Sequence, residues 1–201
     1  MAKHWWHDSK THTAIFALVM SAALLAGGIG MLYSSAHFLG QDKQVVKELT
    51  PVDLPARIMI PKISVDTNVQ MVGTTTSGRM GIPDNFTDVA WFTGGPRPGE
   101  RGSANISGHL DTATDTNAVF INLDQLIIGD EIYILDKGEQ SIKFKVTAIE
   151  VYDETNAPLA RIFDTSGTTA RLNLITCDGA WDQGTKNYSK RLVVYSERIL
   201  D

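Results

Sequence analysis

Cysteine and histidine are scarce in this chain. Cys177 is the only cysteine, so the chain cannot form an intramolecular disulfide. Of the five histidines, only His109 lies in the part of the sequence with a globular pattern. The other four belong to the N-terminal region and are His4, His7, His12 and His37. One cysteine and one histidine are fewer than the three or four protein ligands of a zinc site, so neither a metal site nor a cofactor is predicted.

Positive charge is also limited. The 201 residues carry 18 Lys and Arg against 23 Asp and Glu, which gives a formal net charge of -5 at pH 7. Nucleic-acid-binding domains usually show a basic patch or stripe, so no nucleic-acid partner is predicted. Hydrophobic residues make up 43% of the chain, which is enough to bury a core and too much for a disordered chain.

Charged residues are absent from Thr13 to Leu39. Within this stretch, Ala14 to Tyr33 is a 20-residue apolar run. As a helix with about 1.5 Å per residue it is roughly 30 Å long, the thickness of the hydrocarbon core of a bilayer. Trp5 and Trp6 precede the run, where aromatic rings suit the membrane interface. We predict a single transmembrane anchor over residues 13–39.

Two other interpretations of the apolar run are a cleaved signal peptide and a buried core helix. Lys3 and Lys10 provide a basic region, and Ser34-Ser35-Ala36 is an acceptable cleavage site. The run is longer than the usual signal-peptide core of about 7–15 residues, which favours a retained anchor. Both the anchor and the signal peptide export the rest of the chain, so we expect an extracytoplasmic domain at the cell membrane.

The predicted organisation is a short N-terminal tail at 1–12, the anchor, a polar linker at 40–55 and one domain at 56–201. The domain alternates short apolar segments with Gly, Pro and Asp turns, which is typical of an all-β sandwich or barrel. The predicted strands are Arg57–Ile60, Val65–Val72, Ser103–Ser107, Glu131–Leu135, Ile142–Val151, Ala170–Thr176 and Leu192–Ile199. Val119–Leu126 and Pro158–Phe163 are predicted short helices, and the pattern favours a closed or nearly closed β-barrel.

Cys177 is either a buried structural thiol or a reactive one. A thiol acts as a nucleophile when it is a thiolate, and a neighbouring imidazole can take its proton. If Cys177 has such a partner, it is His109, the only histidine of the domain. Both residues follow apolar strands, and we expect both at strand ends, where side chains converge at a barrel rim.

Acyl transfer also needs a positive group to stabilise an oxyanion. Arg191 opens the last predicted strand, one loop after Cys177. A strand-end arginine is more often a solvated surface charge. Other arginines that the sequence does not exclude are Arg101, Arg171 and Arg198.

The ordered motifs resemble the sortase family of cysteine transpeptidases. Asn173-Leu-Ile-Thr-Cys177 resembles its T-L-x-T-C signature, with Asn173 in place of the first Thr, and Gly108-His-Leu-Asp-Thr112 resembles its G-H-x-D segment. Arg57-Ile-Met-Ile-Pro-Lys-Ile63 resembles the first strand, and Pro96-Arg-Pro-Gly99 the turn before the histidine strand. The likeness covers residues 55–199. The continuation Cys-Asp-Gly-Ala-Trp181 and the lack of long insertions are most similar to the compact class F-like sortases.

The resemblance implies an eight-stranded sortase-type β-barrel with a Cys-His-Arg active site and no required cofactor. Cys177 would attack a surface-protein sorting signal of LPxTG type and form an acyl-enzyme thioester. His109 would move the proton of the leaving and incoming amines, and Arg191 would hold the peptide or the oxyanion. Thr176 would touch the substrate backbone. The acceptor would be an amine of a peptidoglycan precursor or a pilin.

Three alternatives remain open from the residues alone. One is a non-enzymatic exported β-barrel module for adhesion or pilus assembly, with a structural cysteine. The second is an exported cysteine peptidase. The third, an L,D-transpeptidase, carries its cysteine in an S-H-G-C-type segment, which Leu174-Ile-Thr-Cys177 lacks.

Overall fold

The computed structural model describes residues 52–111 and 118–200, in which eight strands close into a single β-barrel. The strands are β1 (Pro55–Ile60), β2 (Val65–Val72), β3 (Val89–Phe92), β4 (Gly102–Ser107), β5 (Glu131–Asp136), β6 (Ser141–Asp153), β7 (Ala170–Asp182) and β8 (Asn187–Arg198). Their order around the barrel is β1-β2-β3-β4-β7-β8-β6-β5, and β5 pairs with β1 to close it. The predicted all-β, eight-stranded closed barrel is confirmed.

Alternating apolar residues build the inner face of the barrel. Ile132 and Ile134 of β5 are fully buried, whereas the residues beside them are partly exposed. Ile142, Phe144 and Val146 repeat this pattern on β6. Because successive side chains of a strand point to opposite faces, these residues fill the interior and leave the other face to solvent or to covering segments.

A second, smaller apolar cluster covers the outer face of β8. Its buried members are Val193 and Tyr195 of β8 and Ile162 of α1 (Leu159–Ile162), a one-turn helix between β6 and β7. The neighbouring residues Leu192 and Val194 belong to the interior cluster instead. The segment that joins β6 to β7 therefore packs on the outside of the barrel, next to the strands that carry Cys177 and Arg191.

Three strands set the geometry around Cys177. β4 runs parallel to β7, with Ser107 opposite Ile175. β7 and β8 form an antiparallel hairpin in which Cys177 is opposite Arg191. The hairpin continues past these residues to Asp182 and Asn187, and its register shifts between Asp178 and Trp181. Gly179, with a φ of 79°, lies in this irregular stretch, where a left-handed backbone favours glycine.

Several predicted elements differ from the structure. The short β3 was not predicted, although three of its four residues are buried. The predicted helix Val119–Leu126 is wrong, since this segment forms turns and a single 3₁₀ turn at Leu123–Gln125. The amides of Ile121, Leu123 and Gln125 donate to carbonyls three residues back, as in turns, rather than four residues back, as in an α-helix. By contrast, α1 lies within the predicted helix Pro158–Phe163.

The predicted anchor at 13–39 lies outside the described residues, as do the N-terminal tail and most of the linker. Within residues 52–111 and 118–200, no helix combines the length and the apolar composition that a bilayer crossing requires. The anchor and the domain boundaries remain predictions.

Candidate active site

Cys177 lies on β7 and is half-buried. The expectation that it ends its strand is wrong, because β7 continues to Asp182 as part of the long hairpin with β8. Cys177 is two residues after Ile175 on β7, so the two side chains point to the same face of the sheet. Ile175 packs against the outer apolar cluster. Cys177 is therefore presented on the outer side of the barrel wall, on a strand held by pairing on both edges.

His109 follows β4 by two residues, as expected. The Gly108 amide donates to the Ile175 carbonyl at 3.1 Å, and the Thr176 hydroxyl donates to the Gly108 carbonyl at 2.9 Å. These two bonds continue the pairing of β4 with β7 beyond Ser107. They carry the contact between the two strands as far as Gly108, the residue before His109.

The imidazole of His109 is held by the segment before β3. Its Nε2 lies 3.1 Å from the Pro83 carbonyl oxygen, and the Phe86 ring is tilted against it with centroids 4.7 Å apart. A carbonyl only accepts hydrogen bonds, so Nε2 carries the proton of this bond. The ring atom that this bond leaves free to accept a proton is Nδ1.

Gly108 is required by the packing behind His109. A Cβ atom at this position would lie 2.5 Å from Cδ2 of Phe120 and 2.8 Å from Cγ1 of Val119. The Phe120 ring is completely buried, and its amide donates to the His109 carbonyl at 3.0 Å. The glycine in the Gly-His segment therefore allows the core to press against the backbone that carries His109.

The guanidinium of Arg191 is held at the base of the hairpin. It donates to the Tyr188 carbonyl at 2.9 Å, the Lys190 carbonyl at 2.7 Å and Asn187 Oδ1 at 2.7 Å. Nη2 lies 3.7 Å from Oε1 of Glu154, and the Arg191 side chain is 19% exposed. This arginine is a fixed cation beside Cys177 rather than a freely solvated charge.

The other candidate arginines lie elsewhere. Arg171 pairs with Asp164 and is six residues before Cys177 on β7, a separation of about 20 Å along a strand. Arg198 donates to the Gly99 carbonyl at the opposite end of β8 from Asn187. Arg101 is exposed just before β4. Of the four, only Arg191 faces Cys177 across the sheet.

Burial and nearby charges shift the pKa of the Cys177 thiol, some upward and one downward. Burial is the main cause that raises the pKa of the Cys177 thiol, and the carboxylates of Asp111 and Glu154 raise it further, while Arg191 lowers it. The net direction is upward from the ordinary value. A thiol of this kind is protonated at neutral pH and needs a base to become a nucleophile.

A groove begins at Cys177 and Arg191 and extends along the outer wall of the barrel, with a volume of about 920 Å³. One side is the loop Thr74–Ile82, and the other is the segment around α1. Its apolar lining includes Phe92, Leu159, Ile162, Phe163, Ile175 and Val193. Clefts of this size and character bind small molecules or short peptide segments.

Thr176 contributes to the groove wall, but its side chain is only 3% exposed. Its hydroxyl is occupied by the bond to the Gly108 carbonyl. A contact between Thr176 and a substrate backbone, as the resemblance implies, would therefore use its main-chain groups. That contact remains a prediction.

Glu154 is a site residue that the sequence analysis missed. Its carboxylate lies 2.6 Å from Nη2 of Arg79 and within ion-pair distance of Arg191. It joins the loop over the groove to the arginine beside Cys177. Glu154 follows β6 in an ordinary turn, so no sequence signal distinguishes it. Asp111 was also missed as a functional residue, although it belongs to the Gly-His-Leu-Asp segment.

The part of the chain that the structure describes contains no group of three or more His, Cys, Asp or Glu side chains arranged to hold a metal ion.

Residues 58–199 match the family model described as Sortase domain. A sortase D5 transpeptidase of Clostridium perfringens is 25% identical, with a TM-score of 0.55, over 79% of this chain and 86% of that chain. Sortase A from Corynebacterium diphtheriae, a lid mutant, is 25% identical with a TM-score of 0.55, over 76% of this chain and 74% of that chain. No curated protein matches the chain.

Sortase C1 of GBS pilus island 1 is also 25% identical, with a TM-score of 0.54. This match covers 73% of the chain but 65% of sortase C1, slightly under two thirds of that protein.

The described residues form a closed β-barrel in which Cys177 faces Arg191 at an apolar groove. Because the family model covers well over half of the chain, the chain belongs to the sortase family, whose members are cysteine transpeptidases. The family resemblance of the sequence motifs is thereby confirmed, and the class F-like assignment remains a prediction.

Proposed function

We propose that this protein is a membrane-anchored, extracytoplasmic sortase that cleaves an LPxTG-like sorting signal and transfers the surface protein to an amine of the cell wall or a pilin. The observation that carries the proposal is the cross-strand pairing of Cys177 with Arg191 at the end of an apolar groove. His109 lies two residues beyond Ser107, the last residue of β4 that pairs with β7, and this location supports its role as the proton carrier.

In the first step, the Cys177 thiol gives its proton to Nδ1 of His109, and the sulfur attacks the carbonyl of the scissile peptide bond. The C–S bond forms, the C–N bond breaks, and the leaving amine takes the proton from His109. Arg191 would stabilise the negative charge on the carbonyl oxygen in the tetrahedral intermediate. The product of this step is an acyl-enzyme thioester.

In the second step, the acceptor amine attacks the thioester and gives a proton to His109. The new C–N bond forms, the C–S bond breaks, and Cys177 leaves as a thiolate that recovers its proton. The apolar groove supports a substrate with hydrophobic residues ahead of the scissile bond. Water as the acceptor would make the same site a peptidase.

Peptide cleavage and amine transfer by the full-length chain in detergent micelles test this proposal. A library of LPxTG-like peptides is incubated with and without a glycine-based amine, and the products are separated by chromatography and mass spectrometry. We expect cleavage after the Thr position and a new amide in the presence of the amine, both lost in Cys177→Ala. If no peptide is cleaved, or if Cys177→Ala retains the activity, the proposal is wrong.

The position of Cys177 argues against the alternative of a non-enzymatic β-barrel module with a structural cysteine. A structural thiol is usually an inert, fully buried small side chain. Here the thiol is half-buried and lines the groove next to a fixed cation.

The extracytoplasmic location and the anchor are proposed from the uncharged stretch Thr13–Leu39. Protease treatment of intact cells tests this part. An anchored enzyme facing outward loses its domain to the protease while the N-terminal segment stays in the membrane fraction.

A further inference from the structure

The Glu154 carboxylate is shared by two arginines. Its Oε1 atom is 2.6 Å from Nη2 of Arg79 and 3.7 Å from Nη2 of Arg191. Charge-assisted hydrogen bonds between a nitrogen and a carboxylate oxygen are about 2.7–2.9 Å long, so Arg79 holds the carboxylate and Arg191 does not. Because both contacts use one oxygen atom, the position of the carboxylate decides how strongly it interacts with each arginine.

The guanidinium of Arg191 has few donors left for a substrate. Nη1 donates to the Tyr188 and Lys190 carbonyls, and Nη2 donates to Asn187 Oδ1. A guanidinium has five N–H donors. Within residues 52–111 and 118–200, these bonds leave the Nε donor and one Nη2 donor of Arg191 without a partner. These are the donors available to the oxyanion of the proposed reaction.

Glu154 is close enough to occupy one of these donors. Its amide donates to the Ser189 carbonyl at 2.9 Å, so its backbone is fixed to the base of the hairpin. Shortening the 3.7 Å contact with Arg191 to an ordinary hydrogen bond needs a movement of about 1 Å, which a rotation of the Glu154 side chain supplies. The carboxylate would then use the Nη2 donor and neutralise the charge that the oxyanion needs.

A closed turn of the loop Thr74–Ile82 carries Arg79. The Thr75 amide donates to the Arg79 carbonyl at 2.8 Å, and the Arg79 amide donates to the Thr75 hydroxyl at 3.1 Å. Thr74 and Met80 pair as an isolated antiparallel bridge around this turn. Because these bonds give the loop a fixed shape, Arg79 meets Glu154 with little loss of conformational freedom beyond that of its own side chain.

Arg79 acts on the reacting sulfur through Glu154. The pKa of the Cys177 thiol is lowered by Arg191 and raised by Glu154. Among the residues that the structure describes, Arg79 is not one of the charges that shift this pKa. The loss of Arg79 would therefore change the site indirectly, by releasing the carboxylate toward Arg191.

We propose that Arg79 is a positioning residue for the transfer reaction, because it holds the Glu154 carboxylate away from Arg191 and keeps that guanidinium available to the oxyanion. This inference rests on the proposed function. Arg79 neutralises the carboxylate, and Arg191 acts on the substrate. The distinctive consequence is that the defect caused by the loss of Arg79 should disappear when the carboxylate of Glu154 is removed as well.

The test measures the cleavage of one sorting peptide by full-length variants. Arg79→Ala should lower kcat about fivefold or more, the size of one modest ion pair, with a smaller change in KM. Arg79→Lys should keep most of the wild-type kcat, since an ammonium still holds the carboxylate. Arg79→Ala combined with Glu154→Gln should recover the kcat of Glu154→Gln alone, because the competing carboxylate is then absent.

The matched control combines Arg79→Ala with Asp153→Asn. Asp153 is an exposed carboxylate next to Glu154 in the sequence and opposite Lys190 on the neighbouring strand. This double variant has the same net charge as Arg79→Ala with Glu154→Gln but keeps the competing carboxylate, so it should remain defective. Equal recovery in both double variants, or in neither, would contradict the role of Arg79. A wild-type kcat in Arg79→Ala, or a change in KM alone, would contradict it as well.

A second measurement needs no sorting peptide, so it separates failure of this inference from failure of the proposed function. Cys177 is the only cysteine, so alkylation of the full-length chain at the thiol reports on this site alone. Iodoacetate is an anion and iodoacetamide is neutral, so the ratio of their rates measures the positive potential at the sulfur. Arg79→Ala should lower this ratio about twofold or more, the effect of a weak ion pair.

Adding Glu154→Gln to Arg79→Ala should restore the ratio, and adding Asp153→Asn should not. An unchanged ratio in Arg79→Ala overturns the positioning role, whereas a wild-type chain that cleaves no peptide overturns the proposed function.

Discussion

Cys177 and Arg191 face each other across the antiparallel pairing of β7 and β8. The arginine is held by three hydrogen bonds to its own hairpin and by the carboxylate of Glu154. Two adjacent strands thus place a thiol and a guanidinium together without a mobile loop. This relationship leads to the first two predictions.

Arg191→Lys should lower kcat/KM for a sorting peptide by about 10²–10³, the loss typical of removing one oxyanion donor. An ammonium cannot reproduce the planar, two-point hydrogen bonding of a guanidinium. Arg101→Lys, at an exposed site before β4, is the control and should leave kcat/KM unchanged. Near-wild-type turnover by Arg191→Lys, with normal folding, would assign the oxyanion role to another group.

Glu154→Gln should shift the ionisation of Cys177 to lower pH. The Glu154 carboxylate raises the pKa of the thiol, so its removal stabilises the thiolate and leaves Arg191 without a competing charge. The rate of alkylation by iodoacetamide, measured against pH, should reach half its maximum at lower pH than in the wild type. Glu197→Gln, near the opposite end of β8, is the control. A midpoint that stays or moves upward in Glu154→Gln would contradict the assigned electrostatics.

Gly108→Ala should destabilise the barrel and displace His109. The added Cβ would meet the buried Phe120 ring at 2.5 Å, and overpacking of a core costs about 1–3 kcal/mol. We expect a lower free energy of unfolding in urea and a reduced turnover. Gly73→Ala is the matched control, since nothing lies within 4 Å of a Cβ there. Equal stability of the two variants would show that Phe120 does not confine this segment.

Asn173→Ala should lower stability because Asn173 is more than a strand-packing residue. Its fully buried side chain donates to Asn105 Oδ1 at 3.1 Å and to the Ile162 carbonyl at 2.8 Å. Leaving buried acceptors unpaired costs about 1–3 kcal/mol. Asn156→Ala, at an exposed position, should have little effect on the unfolding free energy. A neutral Asn173→Ala would mean that water replaces these bonds.

The bond to the Ile162 carbonyl gives Asn173 a structural role at the position where the family signature has Thr. Asn173 reaches the end of α1 through the Ile162 carbonyl and so ties the covering segment to β7. The sequence motif alone shows that Asn replaces Thr, but it cannot show which carbonyl the amide reaches.

The barrel could be predicted because most strands carry enough alternating residues to show one buried face, as β5 and β6 do. The four-residue β3 is too short for a period to appear. The segment Val119–Leu126 has a helix-like apolar spacing, yet its first two amides bond to the Phe86 and His109 carbonyls, contacts that depend on the tertiary fold. Local propensity is a weak guide in such a segment.

Cys177 and His109 could be singled out because each is the only residue of its type in the domain. Arg191 could not be separated from three other arginines until strand register was known. Glu154 carries no sequence signal, because its relation to Cys177 arises from ion pairs with Arg79 and Arg191 that form only in the folded chain. Rare residue types could therefore be named as candidates from the sequence, whereas the charges around Cys177 became visible only in the folded structure.

The most direct test of the account is the mass of the full-length chain trapped during turnover of a cleavable LPxTG-like peptide. We predict an added mass equal to the acyl fragment, located on Cys177 by proteolytic mapping and released by hydroxylamine. Peptide cleavage without any adduct on Cys177, or an adduct that persists in Cys177→Ala, would contradict the account.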